Sequence, residues 1–502
     1  MAIRKLLEWD FLLDTPVAFL DIWESQTQRL AAHIDRHCIK NQERFPMIPA
    51  EVIACHLVDR SYEDLPAIVI EATKRLILDA LATTIGGSAC AWCRILVEQV
   101  REWGGRAESS ILPVGHRVPA PYAAWIHGTM IHSLEYDAIH EGAIVHALTA
   151  PFPAALAAAE ARGDVSGREF IAAVALAADL ACRVGLATQS PMTFYRGATC
   201  GGFGSTAAAV KLWKFDAETA LHALGIVYSQ LSGTLQSHRE GASVNTMQSG
   251  FGAKAGLIAA ALARRGITGP RDCLTGMFGY YPLYEGGRYD PSVLLGDLGT
   301  RYEVLNISQK PYPCGRLTHG AVELALALHG EGAIRADDIA QVTVVASPFV
   351  QRLVGRPYDP HHQNPLDARL SLPFTVANSL LRGRLAIADA EGAALRDPAI
   401  HHLAQKVTVA VDPALAPPNA PAPQRLEITR RSGGRIVRRI DVLKGAPGRA
   451  LSWDETVDKF WTCWRYADPA VPESQGWQAI DRLASLERED DIGAIVRLLH
   501  PS

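Results

Sequence analysis

From Glu51 onward the apolar residues recur at helical intervals. Val69, Ala72, Leu76 and Leu81 share one face, and Gly86 with Gly87 ends that run. Ala123, Ile126, Met130, Ile131 and Leu134 repeat the pattern and predict a second amphipathic helix. Further helices are predicted from Ala154 to Arg162, from a Ser166/Glu169 capping box to about Gly185, from an Asp216 cap to about Leu231, and from Gly250 to Arg265. Between them, Thr193 to Ala209 reads as a Gly-rich loop. Near Arg301 the pattern changes. Tyr302, Val304 and Ile307 suggest a strand, Ala321 to His329 a helix, Val342 to Ala346 a strand, Leu370 to Leu381 a helix, and Val407 to Val411 a strand. A Pro-rich connector over 413–423 precedes a hairpin that turns at Ser432 to Gly434. Helical spacing returns with Val457, Phe460, Trp461 and Trp464.

The fold class expected is mainly α. Residues 49–305 and 446–502, from both chain ends, form a large all-helical domain, and 306–445 form a smaller inserted α+β domain. Residues 1–48 are an extension that either packs on the core or forms a poorly ordered arm.

Composition narrows the function classes. The chain has 502 residues, 48% hydrophobic and 20% charged, with a formal net charge of −4 and mixed signs throughout. There is no basic stripe for nucleic acid and no polybasic membrane patch. No apolar run reaches membrane-spanning length, and Arg4, Lys5, Glu8 and Asp10 stand where a signal peptide would be apolar, so a cytoplasmic location is expected. Nine thinly spread cysteines point to reduced thiols. Cys90 and Cys93 form a C-x-x-C without a second ligand pair at zinc spacing.

Against that sparse charge, His127 to Pro153 is crowded: His127, His132, Glu135, Asp137, His140, Glu141 and His146 lie in one stretch. The polar groups fall at a helix end and in the loop beyond it, where functional groups are commonly placed. The alternative is a solvated helix face with local ion pairing. The Gly-rich stretch has neither G-x-G-x-x-G nor a Walker lysine, so its small residues serve close helix packing or offer amides to an anion.

An ordered series of blocks resembles the MmgE/PrpD family, whose members include 2-methylcitrate dehydratase, cis-aconitate decarboxylase and iminodisuccinate epimerase. The blocks are LPAIVIEATKRLILDALATTIGGS at 65–88, the H-x-x-x-Y-D block with downstream His146, ATCGGFGSTAAA at 198–209, MQSGFGAKAGLIAAALARRGITGP at 247–270, KPYPCGRLTH at 310–319, RLSLPFTVANSLLRG at 369–383 and LSWDETVDKF at 451–460. The resemblance implies a helical domain with an inserted lid, an active site between them, a homodimer, and no metal or organic cofactor. The implied chemistry is a cofactor-independent lyase reaction on a small polycarboxylate, with dehydration leading and decarboxylation or epimerisation as alternatives. A homologue that only binds an acid is the non-catalytic alternative.

Proton removal beside a carboxylate requires a base, an acid for the leaving group, and donors that hold the carboxylate. The resemblance assigns Asp137, His146, Lys310 and His319 to catalysis. Substrate binding falls to Glu135, His140, Tyr195, Arg196, Asn245, Gln248 and Arg316. Several of these depart from the family pattern. Glu135 stands for an aspartate and Ala138 for an acid, TFYR replaces G-F-H-P at Thr193 to Arg196, and Asn245 to Gln248 replaces K-x-x-H. Arg316 has a structural alternative in an ion pair with Glu323, and Cys314 reads as a packed loop thiol.

Overall fold

A computed structural model describes residues 47–361, 364–415 and 420–500. The extension expected at the N-terminus lies almost wholly outside these residues, as does part of the Pro-rich connector. The first half of the chain is helical: α1 (Pro49–Asp59), α2 (Ala67–Gly87), α3 (Ala91–Trp103), α4 (Ala120–His132), α5 (Pro151–Arg162), α6 (Gly167–Leu186), α7 (Arg196–Leu212), α8 (Ala217–Tyr228) and α9 (Val244–Ala263). Local chemistry fixes several ends. Ser166 accepts from the Glu169 amide in the expected capping box, and Asp216 accepts from the Thr219 amide. No single helix among the described residues is long and apolar enough to cross a membrane.

Three expectations for this half need correction. The stretch Thr193 to Ala209 is mostly helix, because α7 begins at Arg196; its glycines serve contact with neighbouring helices. A Cβ on Gly204 would lie 2.6 Å from the Ala177 oxygen of α6. The helix expected from Gly250 starts at Val244, so Asn245 and Gln248 sit in its first turns. Finally, α4 is buried all round rather than amphipathic. It crosses α9 at Gly128 and Gly250, where a Cβ on Gly128 would meet the Gly250 Cα at 2.6 Å. One turn beyond Gly128, His132 of α4 meets the Tyr195 hydroxyl, which Ser249 of α9 also meets.

The later part of the chain mixes types: α10 (His319–Gly330), α11 (Leu372–Arg382), α12 (Trp453–Trp464) and α13 (Glu473–Ala484). Strand β1 (Ile139–His140) pairs antiparallel with β2 (Ile307–Ser308). The strand expected over Tyr302 to Ile307 is instead a 3-10 turn, Glu303–Asn306, leading into β2. Strands β3 (Ile339–Ala346), β4 (Val407–Val411), β5 (Gln424–Arg430) and β6 (Arg435–Ile440) form a sheet in the order β4-β3-β5-β6, parallel only between β3 and β4.

Buried apolar residues form two clusters. One holds α1 to α9 together with Phe460, Trp461 and Trp464 of α12; the other holds the sheet with α10 and α11. Thus α12 returns across the chain to pack on α2. The short β1–β2 ribbon ties the stretch after α4 to the segment before α10, and so brings together the two stretches richest in candidate chemistry.

Candidate active site

Beyond α4 the chain turns at Glu135, whose φ of 52° is a left-handed conformation uncommon for a side chain of this size. Lys310, fully buried, holds that turn: its Nζ donates to the Glu135 carbonyl at 3.0 Å and to its carboxylate at 3.1 Å. Asp137 lies 3.9 Å from the same Nζ. These carboxylates are buried rather than on a solvated face, with Glu135 3% and Asp137 1% exposed. Behind them, Lys459 of α12 donates to Asp79 of α2 and to the carbonyls of Tyr136 and Lys310.

Asp137 faces two histidines. His132 Nδ1 donates to Oδ1 at 3.0 Å and His146 Nδ1 to Oδ2 at 2.5 Å, with the tautomers assigned from the carboxylate that each nitrogen meets. The other nitrogen of His132 meets the Tyr195 hydroxyl at 2.9 Å, and that hydroxyl is 3.3 Å from Ser249 Oγ. Glu135 Oε1 is 3.5 Å from the same His132 nitrogen. His146 keeps 14% side-chain exposure and, with His132, Glu135 and Tyr195, lines a cleft of about 780 Å³ including its open mouth.

The two rings titrate apart. Burial opposes charging of His132, but Asp137 and Glu135 outweigh it and hold the pKa above the ordinary 6.5. Burial prevails at His146, helped by the neighbouring His132, and leaves it below 6.5 despite Asp137. Burial would raise Asp137, yet His146, His132 and Lys310 hold it well below 3.8. For Glu135, burial is likewise outweighed by Lys310 and His132, so its pKa is lowered. Environments that separate two like groups in this way divide acid from base. The arrangement favours the charged form of His132 over that of His146, whose Nε2 has no hydrogen-bond partner among the described residues.

The other expected site residues divide. Arg316 and Asn245 line the cleft. Arg316 Nε donates to Glu141 at 2.7 Å, which replaces the expected Glu323 pairing, and Nη1 donates to the Lys444 carbonyl at 2.8 Å. Its buried Nη2 has no protein partner. Gln248 lies behind the wall, accepting from the Thr234 amide and donating to Ser237. His140, expected to bind substrate, instead meets Glu303 at 3.0 Å through Nε2 and accepts from the Ala143 amide through Nδ1. Arg196 is tied to Glu285 and to the Ala143 and Ser190 carbonyls. His319 spans Arg316 Nη1 and the Cys314 carbonyl, and burial with Arg316 pushes its pKa well down. Neither His140, Arg196, Gln248 nor His319 lines the cleft. His127 is a core residue that accepts from the Leu112 amide, its pKa pushed down to about 3 by burial.

Sequence reasoning placed His132 in the crowded stretch without giving it a role. The signal was its spacing to Asp137. His238, in the short helix Gln236–Glu240, also lines the cleft, and a lone histidine among polar residues offered no signal. As for metals, one donor atom from each of His132, Asp137 and His146 falls within 4.8 Å of the others. In the described arrangement both Nδ1 atoms are hydrogen-bonded to the carboxylate. Cys93 Sγ of the C-x-x-C pair meets Ser133 Oγ at 3.2 Å.

Comparison with known proteins adds a second line of argument. Residues 51–291 match the family model for the MmgE/PrpD N-terminal domain, and residues 312–484 that for the C-terminal domain. A cis-aconitate decarboxylase-like protein, oryM, from Aspergillus oryzae is 26% identical over 87% of this chain and 94% of its own length. The cis-aconitate decarboxylase of Homo sapiens is 25% identical over 81% of the chain and 84% of its own length. A 2-methylcitrate dehydratase from Cupriavidus necator is 29% identical over 42% of the chain and 44% of its own length.

Proposed function

Because the chain belongs to the MmgE/PrpD family, we propose that it is a carbon-acid lyase in which His146 removes a proton from the carbon beside a carboxylate. The observation that carries this reading is the pair of histidines on Asp137, one with its pKa held above the ordinary 6.5 and the other below it.

In the dehydration reading, the free edge of Arg316 and the Asn245 amide hold the carboxylate. His146 Nε2 accepts the adjacent proton while its Nδ1 stays anchored on Asp137. The electrons of the C–H bond form the new C=C bond, and negative charge that builds on the carboxylate meets the Arg316 guanidinium. The C–O bond one carbon further on breaks. Its hydroxyl leaves as water with a proton from Tyr195, which His132 Nε2 replaces. Acid and base in one buried network accelerate both transfers, each typically by about 10²- to 10⁴-fold. Tyr195, in place of the family's histidine, stays protonated because burial holds its pKa well above 10, and His132 Nε2, at 2.9 Å, can return the proton that it gives up.

A decarboxylation reading has its own support in the decarboxylase relatives that cover most of the chain. There the C–C bond to a carboxylate breaks, carbon dioxide leaves, and the carbon that keeps the electrons takes the proton from Tyr195. Mass spectrometry separates the readings. Incubation with hydroxy acids and unsaturated acids is expected to give a product lighter by one water, and loss of carbon dioxide would select the second reading. No mass change with any acid, from a folded protein, would refute both.

A further inference from the structure

The resemblance leads one to expect a small polycarboxylate, but the cleft is built for something else. Its cations are already matched by the protein's own anions. Lys310 is held by Glu135 and Asp137, His132 by the same carboxylates, and Arg316 by Glu141. What remains for an incoming acid is Arg316 Nη2, which is buried and unpartnered, and Asn245, both residues lining the cleft. A substrate with three carboxylates would place two of them without a counter-charge, and burying an unpaired ion is strongly unfavourable. Apart from His238 and the groups already paired, the wall is apolar: Ile144, Leu235, Leu317, Phe349, Leu353 and Leu370 face the cleft. Phe349 and Leu353 come from the short helix Pro348–Val354, whose Val350 and Val354 are fixed in the second core.

We propose that the substrate is an amphipathic acid, with one carboxylate at the Arg316 edge near His146 and an alkyl or similar apolar chain lying along Leu235, Phe349 and Leu353. This rests on the lyase reading for the position of the reacting carbon, while the binding preference stands on the wall itself. An apolar cleft with a few convergent polar groups is the usual form of a small-molecule site. The acid supplies the polar end and the chain fills what the polar residues do not.

The test is calorimetric binding of 3-hydroxybutyrate, 3-hydroxyhexanoate, 3-hydroxydecanoate and citrate to wild-type protein and to Leu353→Asp. Each added methylene is expected to tighten binding by about three- to four-fold, the equivalent of about 0.8 kcal/mol. The ten-carbon acid is expected to bind at least about ten-fold more tightly than citrate, about 1.4 kcal/mol. Leu353→Asp should flatten the chain-length series, because it removes apolar wall that the longer chains contact. Citrate binding as tightly as the ten-carbon acid, or a flat series in the wild type, would overturn the proposal. Chain-dependent binding without turnover of any acid would keep it and sink the lyase reading, whereas turnover of citrate with no chain preference would do the reverse.

Discussion

Asp137→Asn removes one charge and almost no volume from the centre of the site. Its carboxylate accepts from both His132 Nδ1 and His146 Nδ1. An asparagine offers one oxygen and one NH2, so it can accept from only one ring. The other ring must turn its Nδ1 into an acceptor and carry its proton on Nε2. If that ring is His146, the base is blocked; if it is His132, the acid loses its anchor. Two unit charges about 4 Å apart interact by about 4 kcal/mol near a protein surface, and an opposite charge that close typically moves a pKa by about one to three units. The His132 pKa, held above 6.5 chiefly by Asp137, is therefore expected to fall by at least about one unit. Side-chain NMR titration of the histidines reads this without a substrate. Turnover is expected to fall by about 10³- to 10⁴-fold, as when the carboxylate that orients a catalytic histidine is amidated elsewhere. An unchanged His132 titration in a folded Asp137→Asn protein would refute the assignment.

Other outcomes follow from the same geometry. Lys310→Met leaves Glu135 and Asp137 without their buried cation and should destabilise the protein by about 3–5 kcal/mol, seen as a lower melting temperature; adding Glu135→Gln should recover part of the loss, and equal melting of the single and double variants would contradict the coupling. Gly250→Ala forces a Cβ to within 2.4 Å of the Trp125 carbonyl and should cost about 1–3 kcal/mol or more, measured by denaturant unfolding. His56 and His127 are both buried with pKa values pushed down to about 3. The unfolded chain binds protons at these rings below pH 6.5 that the folded protein refuses, so stability falls with pH, by about 2 kcal/mol per ring at pH 5; a melting temperature that does not change between pH 7 and 5 would contradict this. Turnover should survive exhaustive treatment with a chelator, since Nδ1 of each site histidine serves Asp137, and its loss with recovery on adding a divalent ion would make His132, Asp137 and His146 a metal site.

Much of the fold was legible because its helices announce themselves locally. The Ser166/Glu169 capping box and the Asp216 cap lie where the side chains require them. The Gly-rich stretch misled because glycine usually marks a loop, whereas here α7 needs small residues to approach α6 and α9. Tyr302 to Ile307 misled because three apolar residues, spaced by two and then by three, do not distinguish a strand from a 3-10 turn. In the site, His146 and Asp137 were readable from one crowded stretch. Their separation from His140 was not, since it depends on Glu303, far along the chain. Arg196 looked like a substrate ligand until Glu285 was brought beside it. The Asp79–Lys459 pair left no mark in the sequence, its members being 380 residues apart. The cleft's apolar wall is likewise assembled only in three dimensions.

The central claim is that His146 Nε2 is the base, and hydrogen–deuterium exchange at carbon tests it most directly. The wild-type protein is incubated in deuterated water with the acid panel, and loss of the C–H signal beside the carboxylate is followed by NMR. The account predicts exchange or product formation that rises with pH through a His146 pKa below 6.5 and disappears in His146→Gln. Exchange that persists undiminished in His146→Gln would contradict it.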